Sequence, residues 1–277
     1  MSSPSPPALA PRVAWWRYAL PNAVTSASIV VAALATQAAI ARRTVDAAWL
    51  ALIVLLTDKL DGFLATRLKA TSAFGVQLDS LADLVSFGVA PSAIVYGFFA
   101  SRPQLGWADG WALVGLRGLC ALHTLGCALR LARFNVRTET AMRAGEAPSR
   151  HYLGITTTMT AGLLLSLFLV VLKYADPAWV APERLDPWRP LGGLRTDGVL
   201  AWFPWILPLG VAGMLSPIRL PKLGRTFSRV TDVLLAICVA AIYGLGLARR
   251  LPECLAAGGL YYLGITLAYH ARTRRPT

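Results

Sequence analysis

A chain of 277 residues with 56% hydrophobic and 15% charged residues, and a mean hydropathy of +0.54, is too apolar for a soluble domain, where about 25% charge is usual. Its formal charge of +13 and pI near 10.3 come with no nucleic-acid-binding motif, so the excess is assigned to basic loops facing anionic membrane lipid, with no nucleic-acid partner. The composition describes an all-α, polytopic membrane protein.

Residues 1–22, "MSSPSPPALAPRVAWWRYALPN", lack the apolar run and small-residue cleavage site of a secretory signal and are expected to be retained. Within them "PRVAWWRYAL" mixes Trp15, Trp16 and Tyr18 with Arg12 and Arg17, which suits a short interfacial helix at the headgroup level. Asn22 is placed as the cap of the first span, and its position near the cytoplasmic face leaves nucleotide contact open. About 20 apolar residues cross a bilayer, and that criterion selects eight spans, at 23–41, 46–66, 76–100, 111–132, 153–173, 199–216, 231–248 and 254–271. They form one membrane-embedded domain over 23–271, followed by a basic tail at 272–277. Tyr174 to Asp197, rich in Pro, Trp and charge, reads as an extramembrane connection or cap. The bias of Lys and Arg puts both termini, and the facing ends of the second and third spans, in the cytoplasm. Cys120, Cys127, Cys238 and Cys254 form no CxxC pair and are read as structural thiols.

The second and third spans carry four of the 14 acidic residues: Asp58, Asp61, Asp79 and Asp83. On helices, Asp58 and Asp61 project from one face and Asp79 and Asp83 from another, and the short link "KATSAFG" lets the two helices run antiparallel with the pairs facing. One Asp at mid-membrane costs roughly 2.5 to 3.5 kcal/mol before any mutual repulsion, so positive charge must sit among them. No Lys or Arg shares these faces at helical spacing. Divalent cations fit, because they take carboxylate oxygens and leave positions for a substrate phosphate. A proton relay or a solvated helix end is the plainer alternative. Gly62 and Gly75 remove side chains where a ligand or facing helix comes close.

In the fourth span "ALRLARFN" places Arg130 and Arg133 three apart on one side, where their guanidiniums match a carboxylate or a lipid phosphate. Asn135 follows as a weaker candidate, and Arg219 is a further one in a later cytoplasmic loop. Arg137, Arg143 and Arg150 are read as snorkelling to headgroups. His123 is taken as a packed or hydrogen-bonded histidine rather than a ligand, Ser86 as a helix-packing serine, and His151 as substrate-facing or interfacial.

The run from Asp58 to Asp83 resembles the signature of the CDP-alcohol phosphatidyltransferase family, D-x2-D-G-x2-A-R-x8-G-x3-D-x3-D. Asp58, Asp61, Gly62, Ala65, Gly75, Asp79 and Asp83 all fall on it. Thr66 stands where the family has Arg, and Arg67, the next residue, points about 100° away on a helix. The resemblance implies a helical fold with six core spans and a cytoplasm-facing polar cavity, transfer of a phosphatidyl group from a CDP-linked lipid to an alcohol with release of CMP, and a homodimer. It implies that the four aspartates hold two Mg2+ or Mn2+ ions, that Asp61, Gly62, Ala65 and Gly75 meet the nucleotide, and that Asp83 is a metal ligand, the general base, or both. "FGVQLDSLADLVSFGVAP" (Phe74 to Pro91), "ALRLARFN" and, more loosely, "MLSPIRLPK" resemble the branch that makes phosphatidylserine. CDP-diacylglycerol and L-serine are then the expected partners and Arg130, Arg133, Asn135 and Arg67 the acceptor or phosphate-binding candidates, in a bacterial inner membrane. Choline, glycerol 3-phosphate or inositol phosphate as acceptor, a cation transporter, and an inactive scaffold are the competing readings.

Overall fold

Long apolar runs become long helices here because a lipid-embedded backbone has to satisfy its own polar groups. The computed structural model describes residues 16–68, 72–145, 151–175, 197–221 and 252–273. Helix α1 (Trp16–Ile40) leads through a turn in which Arg42 takes φ 60° to α2 (Thr44–Leu68). Helix α3 (Ala73–Ala100) opens on Ser72, whose hydroxyl accepts the Gly75 N–H at 3.0 Å, and is interrupted by a π-turn at Leu84–Val89. A 3₁₀ turn at Pro103–Leu105 leads to α4 (Gly110–Arg143), whose 34 residues span roughly 51 Å at 1.5 Å per residue, well beyond a hydrocarbon core of about 30 Å. After strand β1 (His151–Leu153) come α5 (Thr157–Tyr174), α6 (Gly198–Leu215), strand β2 (Arg219–Pro221) and α7 (Pro252–Thr273).

Among the described residues, α1, α3, α4, α5 and α6 are long and apolar enough to cross a membrane, and α2 adds an apolar segment over Thr44–Leu55. The span expected at 231–248 and the cap between Tyr174 and Asp197 fall almost wholly outside the described residues, as do 1–15 and 274–277. The structure bears out the helical fold, differs from one expectation and adds one small feature. The interfacial helix is not separate where it is described: α1 runs unbroken from Trp16 through Pro21 and Asn22, so the boundary drawn at 22 falls inside a helix and Asn22 is no cap. The chain also contains a small antiparallel pair, with Tyr152 opposite Leu220 and Leu153 opposite Arg219, too short to show an alternating pattern in sequence.

Small residues let the helices approach. Ala32, Ala35 and Ala39 of α1 and Ala47, Ala48 and Ala51 of α2 are all buried where these helices pack, and a Cβ on Gly97 of α3 would sit 2.9 Å from the Ala39 carbonyl oxygen. Phe98 and Phe99 of α3, Phe168 of α5 and Phe203 of α6 stack into an aromatic plug, with Phe98 and Phe168 edge to face at 5.2 Å and Phe168 to Phe203 at 4.9 Å. That plug anchors the second half of α3 and leaves the acidic first half at the other end of the bundle. The described C-terminal helix is tied in by charge: Lys173 Nζ, on a side chain 5% exposed, lies 2.7 Å from Glu253 Oε1, and the Tyr174 hydroxyl donates to the same oxygen at 3.0 Å.

Candidate active site

Asp58 is positioned by its predecessor. Thr57 donates to Val54 O at 3.0 Å and meets Ser28 of α1, hydroxyl to hydroxyl, at 2.7 Å, pinning α2 against α1 one residue before the carboxylate. Asp79 and Asp83 stand one turn apart on α3. One oxygen from each of Asp58, Asp79 and Asp83 lies within 4.8 Å of the others, and none of the three residues is buried. Asp61, Gly62, Ala65 and Arg67 continue α2, and their side chains lie outside what is described. Gly75 sits beside the group: a Cβ there would be 3.0 Å from Asn22 Oδ1 and 3.1 Å from Ser72 Oγ, so the glycine makes room for a carboxamide from α1.

Positive charge does reach this site, from a helix the spacing argument did not consider. Arg130 of α4 is 6% exposed and close enough to Asp83 for their charges to attract. Its Nη1 donates to Thr157 Oγ1 at 3.4 Å, its guanidinium lies 5.6 Å from the Phe134 ring centroid, and its buried Nε has no hydrogen-bond partner among the described residues. Arg133 is used differently. It donates from Nη1 to Leu215 O at 3.0 Å and from Nη2 to Met214 O at 2.8 Å and Leu153 O at 3.3 Å, closing the C-terminal end of α6 against β1. Asn135 Nδ2 donates to Ser80 Oγ at 2.8 Å, joining α4 to α3 between the two aspartates. Arg219 contributes its backbone to β2, and Ser86 Oγ is buried in the π-turn with no partner among the described residues.

The donor set fits a small hard cation. Three carboxylates supply only oxygen, ligand atoms on opposite sides of an octahedral Mg2+ are about 4.2 Å apart, and incomplete burial leaves positions for water or phosphate. The arrangement is a polytopic helical membrane bundle with an all-oxygen acidic cluster beside a buried guanidinium. The family model for CDP-alcohol phosphatidyltransferase matches residues 18–208, and the chain belongs to that family, whose members are generally divalent-metal dependent. Among curated proteins it is similar to the "CDP-diacylglycerol--serine O-phosphatidyltransferase" of Helicobacter pylori strain J99, 36% identical over 157 residues, covering 57% of this chain and 60% of the relative. Proteins of the same name match from Mycobacterium bovis, at 30% over 169 residues covering 61% and 55%, and from Saccharomyces cerevisiae, at 32% over 177 residues covering 62% and 56%. The matched part thus spans little more than half the length of these relatives.

Proposed function

We propose that the chain transfers the phosphatidyl group of CDP-diacylglycerol to L-serine, giving phosphatidylserine and CMP. The observation that carries the reading is the convergence of Asp58, Asp79 and Asp83 within 4.8 Å on a chain of this family. Asp58, Asp61, Asp79 and Asp83 would hold the divalent ions, Mg2+ or Mn2+ and two in number, which when bound neutralise the diphosphate oxygens. The serine hydroxyl oxygen forms the new bond to the lipid-side phosphorus as the bond to CMP breaks, and Asp83 takes the hydroxyl proton. Asp61, Gly62, Ala65 and Gly75 would line the nucleotide.

Arg130 is the preferred acceptor residue, because its buried Nε has no partner among the described residues and its charge lies near Asp83, where the serine carboxylate would arrive. Arg133 and Asn135 are given positioning roles instead, since carbonyls and Ser80 take their donors. In this reading the protein sits in a bacterial inner membrane with the site facing the cytoplasm, an orientation that the bias of Lys and Arg supports. Residues 23–271 are one domain in this reading, and the protein is a homodimer.

The test is CMP release by purified protein with CDP-diacylglycerol and Mn2+, offering serine, glycerol 3-phosphate, inositol phosphate and choline in parallel. Release with serine alone supports the proposal. Release with another acceptor overturns the acceptor, and silence with all four overturns the activity.

A further inference from the structure

The turn after Asp83 is where α3 leaves α-helical geometry. Across Leu84–Val89 the pattern is π, and the Ala90 N–H reaches back five residues to Val85 O. The sequence supplies a cause: Pro91 stands four residues after Phe87 and has no N–H, so an α-helical ladder would leave the Phe87 carbonyl without its donor. Side chains of α4 meet the carbonyls of this turn. His123 Nε2 lies 3.2 Å from Phe87 O and, since a carbonyl only accepts, that nitrogen carries the proton. The Cys127 thiol donates to the same oxygen at 3.5 Å, and Thr124 Oγ1 donates to Gly88 O at 3.2 Å. His123 is 0% exposed, and its Nδ1 has no hydrogen-bond partner among the described residues. A polar ring is thus buried in an apolar helix with its bond directed to the π-turn.

The geometry of that turn decides where the aspartates point. A π-turn accommodates one extra residue, and each residue of helix is about 100° of rotation. Phe98 and Phe99 hold the second half of α3 in the aromatic plug, so the turn sets the direction of Asp79 and Asp83 relative to that anchor. Were the turn to relax to α-helix, the two carboxylates would swing away from Asp58. We propose that His123 is a positioning residue that holds the π-turn and thereby aims Asp79 and Asp83 at Asp58. The inference rests on the metal-site reading given under Proposed function.

The probe is Mn2+ binding to the purified full chain, followed by electron paramagnetic resonance, with thermal unfolding measured on each variant. His123→Leu removes the donor and is expected to weaken Mn2+ binding about tenfold or more, as loss of a supporting group around a metal site does. His123→Gln keeps an N–H at comparable reach and is expected to bind close to wild type. The deciding variant combines His123→Leu with Pro91→Ala, which gives the Phe87 carbonyl a backbone donor again. It is expected to recover thermal stability without recovering Mn2+ affinity, whereas a histidine serving stability alone would see both return. Wild-type Mn2+ affinity in folded His123→Leu or in the double variant overturns the inference, and so does failure of the double variant to fold. Asp83→Asn separates this from the reading beneath it: Mn2+ affinity unchanged in that variant sinks the metal site itself, and the positioning role with it.

Discussion

One turn of helix separates Arg130 from Arg133, and the two guanidiniums end in different surroundings. Arg133 gives donors to the carbonyls of Met214 and Leu215, which the end of α6 would otherwise leave open, and to that of Leu153 in β1. Arg133→Ala is therefore expected to lower the thermal unfolding transition, by on the order of 2 kcal/mol for charge-assisted bonds to carbonyls, and Arg133→Lys to recover only part, because an ammonium lacks the fork. Arg130→Ala is expected to raise the KM for serine severalfold while leaving that for CDP-diacylglycerol nearly unchanged, as read from CMP release. An unchanged serine dependence would remove Arg130 from the acceptor site. Spacing placed both residues on one side of a span, but a side chain this long ends several ångströms from its backbone. Which carbonyls Arg133 reaches depends on the end of α6 and on β1, neither of which local sequence reveals. The acidic cluster was legible because short carboxylates stay close to the helix face that carries them.

Helices were legible where apolar length decides them, and the breaks within them were not. The third span expected at 76–100 is contained in α3, and the fifth, expected at 153–173, largely in α5. The π-turn inside α3 had a signal in Pro91, yet a proline in a membrane helix also fits an ordinary kink, and only the donors on α4 distinguish the outcome. The β1 and β2 pair had none, being three residues long on each side. Close helix contacts lie between these extremes, since glycine is common in membrane helices and its partner is unknown until the helices are packed. Gly97 faces the Ala39 carbonyl, a backbone atom that cannot rotate away. Gly97→Ala is expected to push α1 from α3 and cost about 1–3 kcal/mol, measured by thermal unfolding in detergent.

Taken whole, the bundle has an acidic end at Asp58, Asp79 and Asp83 and an aromatic end at Phe98, Phe168 and Phe203. Its described C-terminal helix is held to α5 by Lys173 and Glu253, a pair not apparent from sequence because 79 residues separate Tyr174 from the glutamate they share. Lys173→Met is expected to destabilise by about 3 kcal/mol, the low end for a buried pair because Glu253 keeps 31% of its side chain exposed, and adding Glu253→Leu is expected to restore most of the loss. Thermal unfolding of the single and double variants checks this. The central claim is that the converged carboxylates support transfer of a phosphatidyl group to serine. Its most direct test is a time course of CMP and phosphatidylserine formed from CDP-diacylglycerol and serine by the wild type and by Asp83→Asn, with and without a chelator. The account predicts equal amounts of both products from the wild type, arrest by the chelator with recovery on adding Mn2+, and a folded but inactive Asp83→Asn. Phosphatidylserine formed by Asp83→Asn at the wild-type rate, or by the wild type in excess chelator, would contradict it.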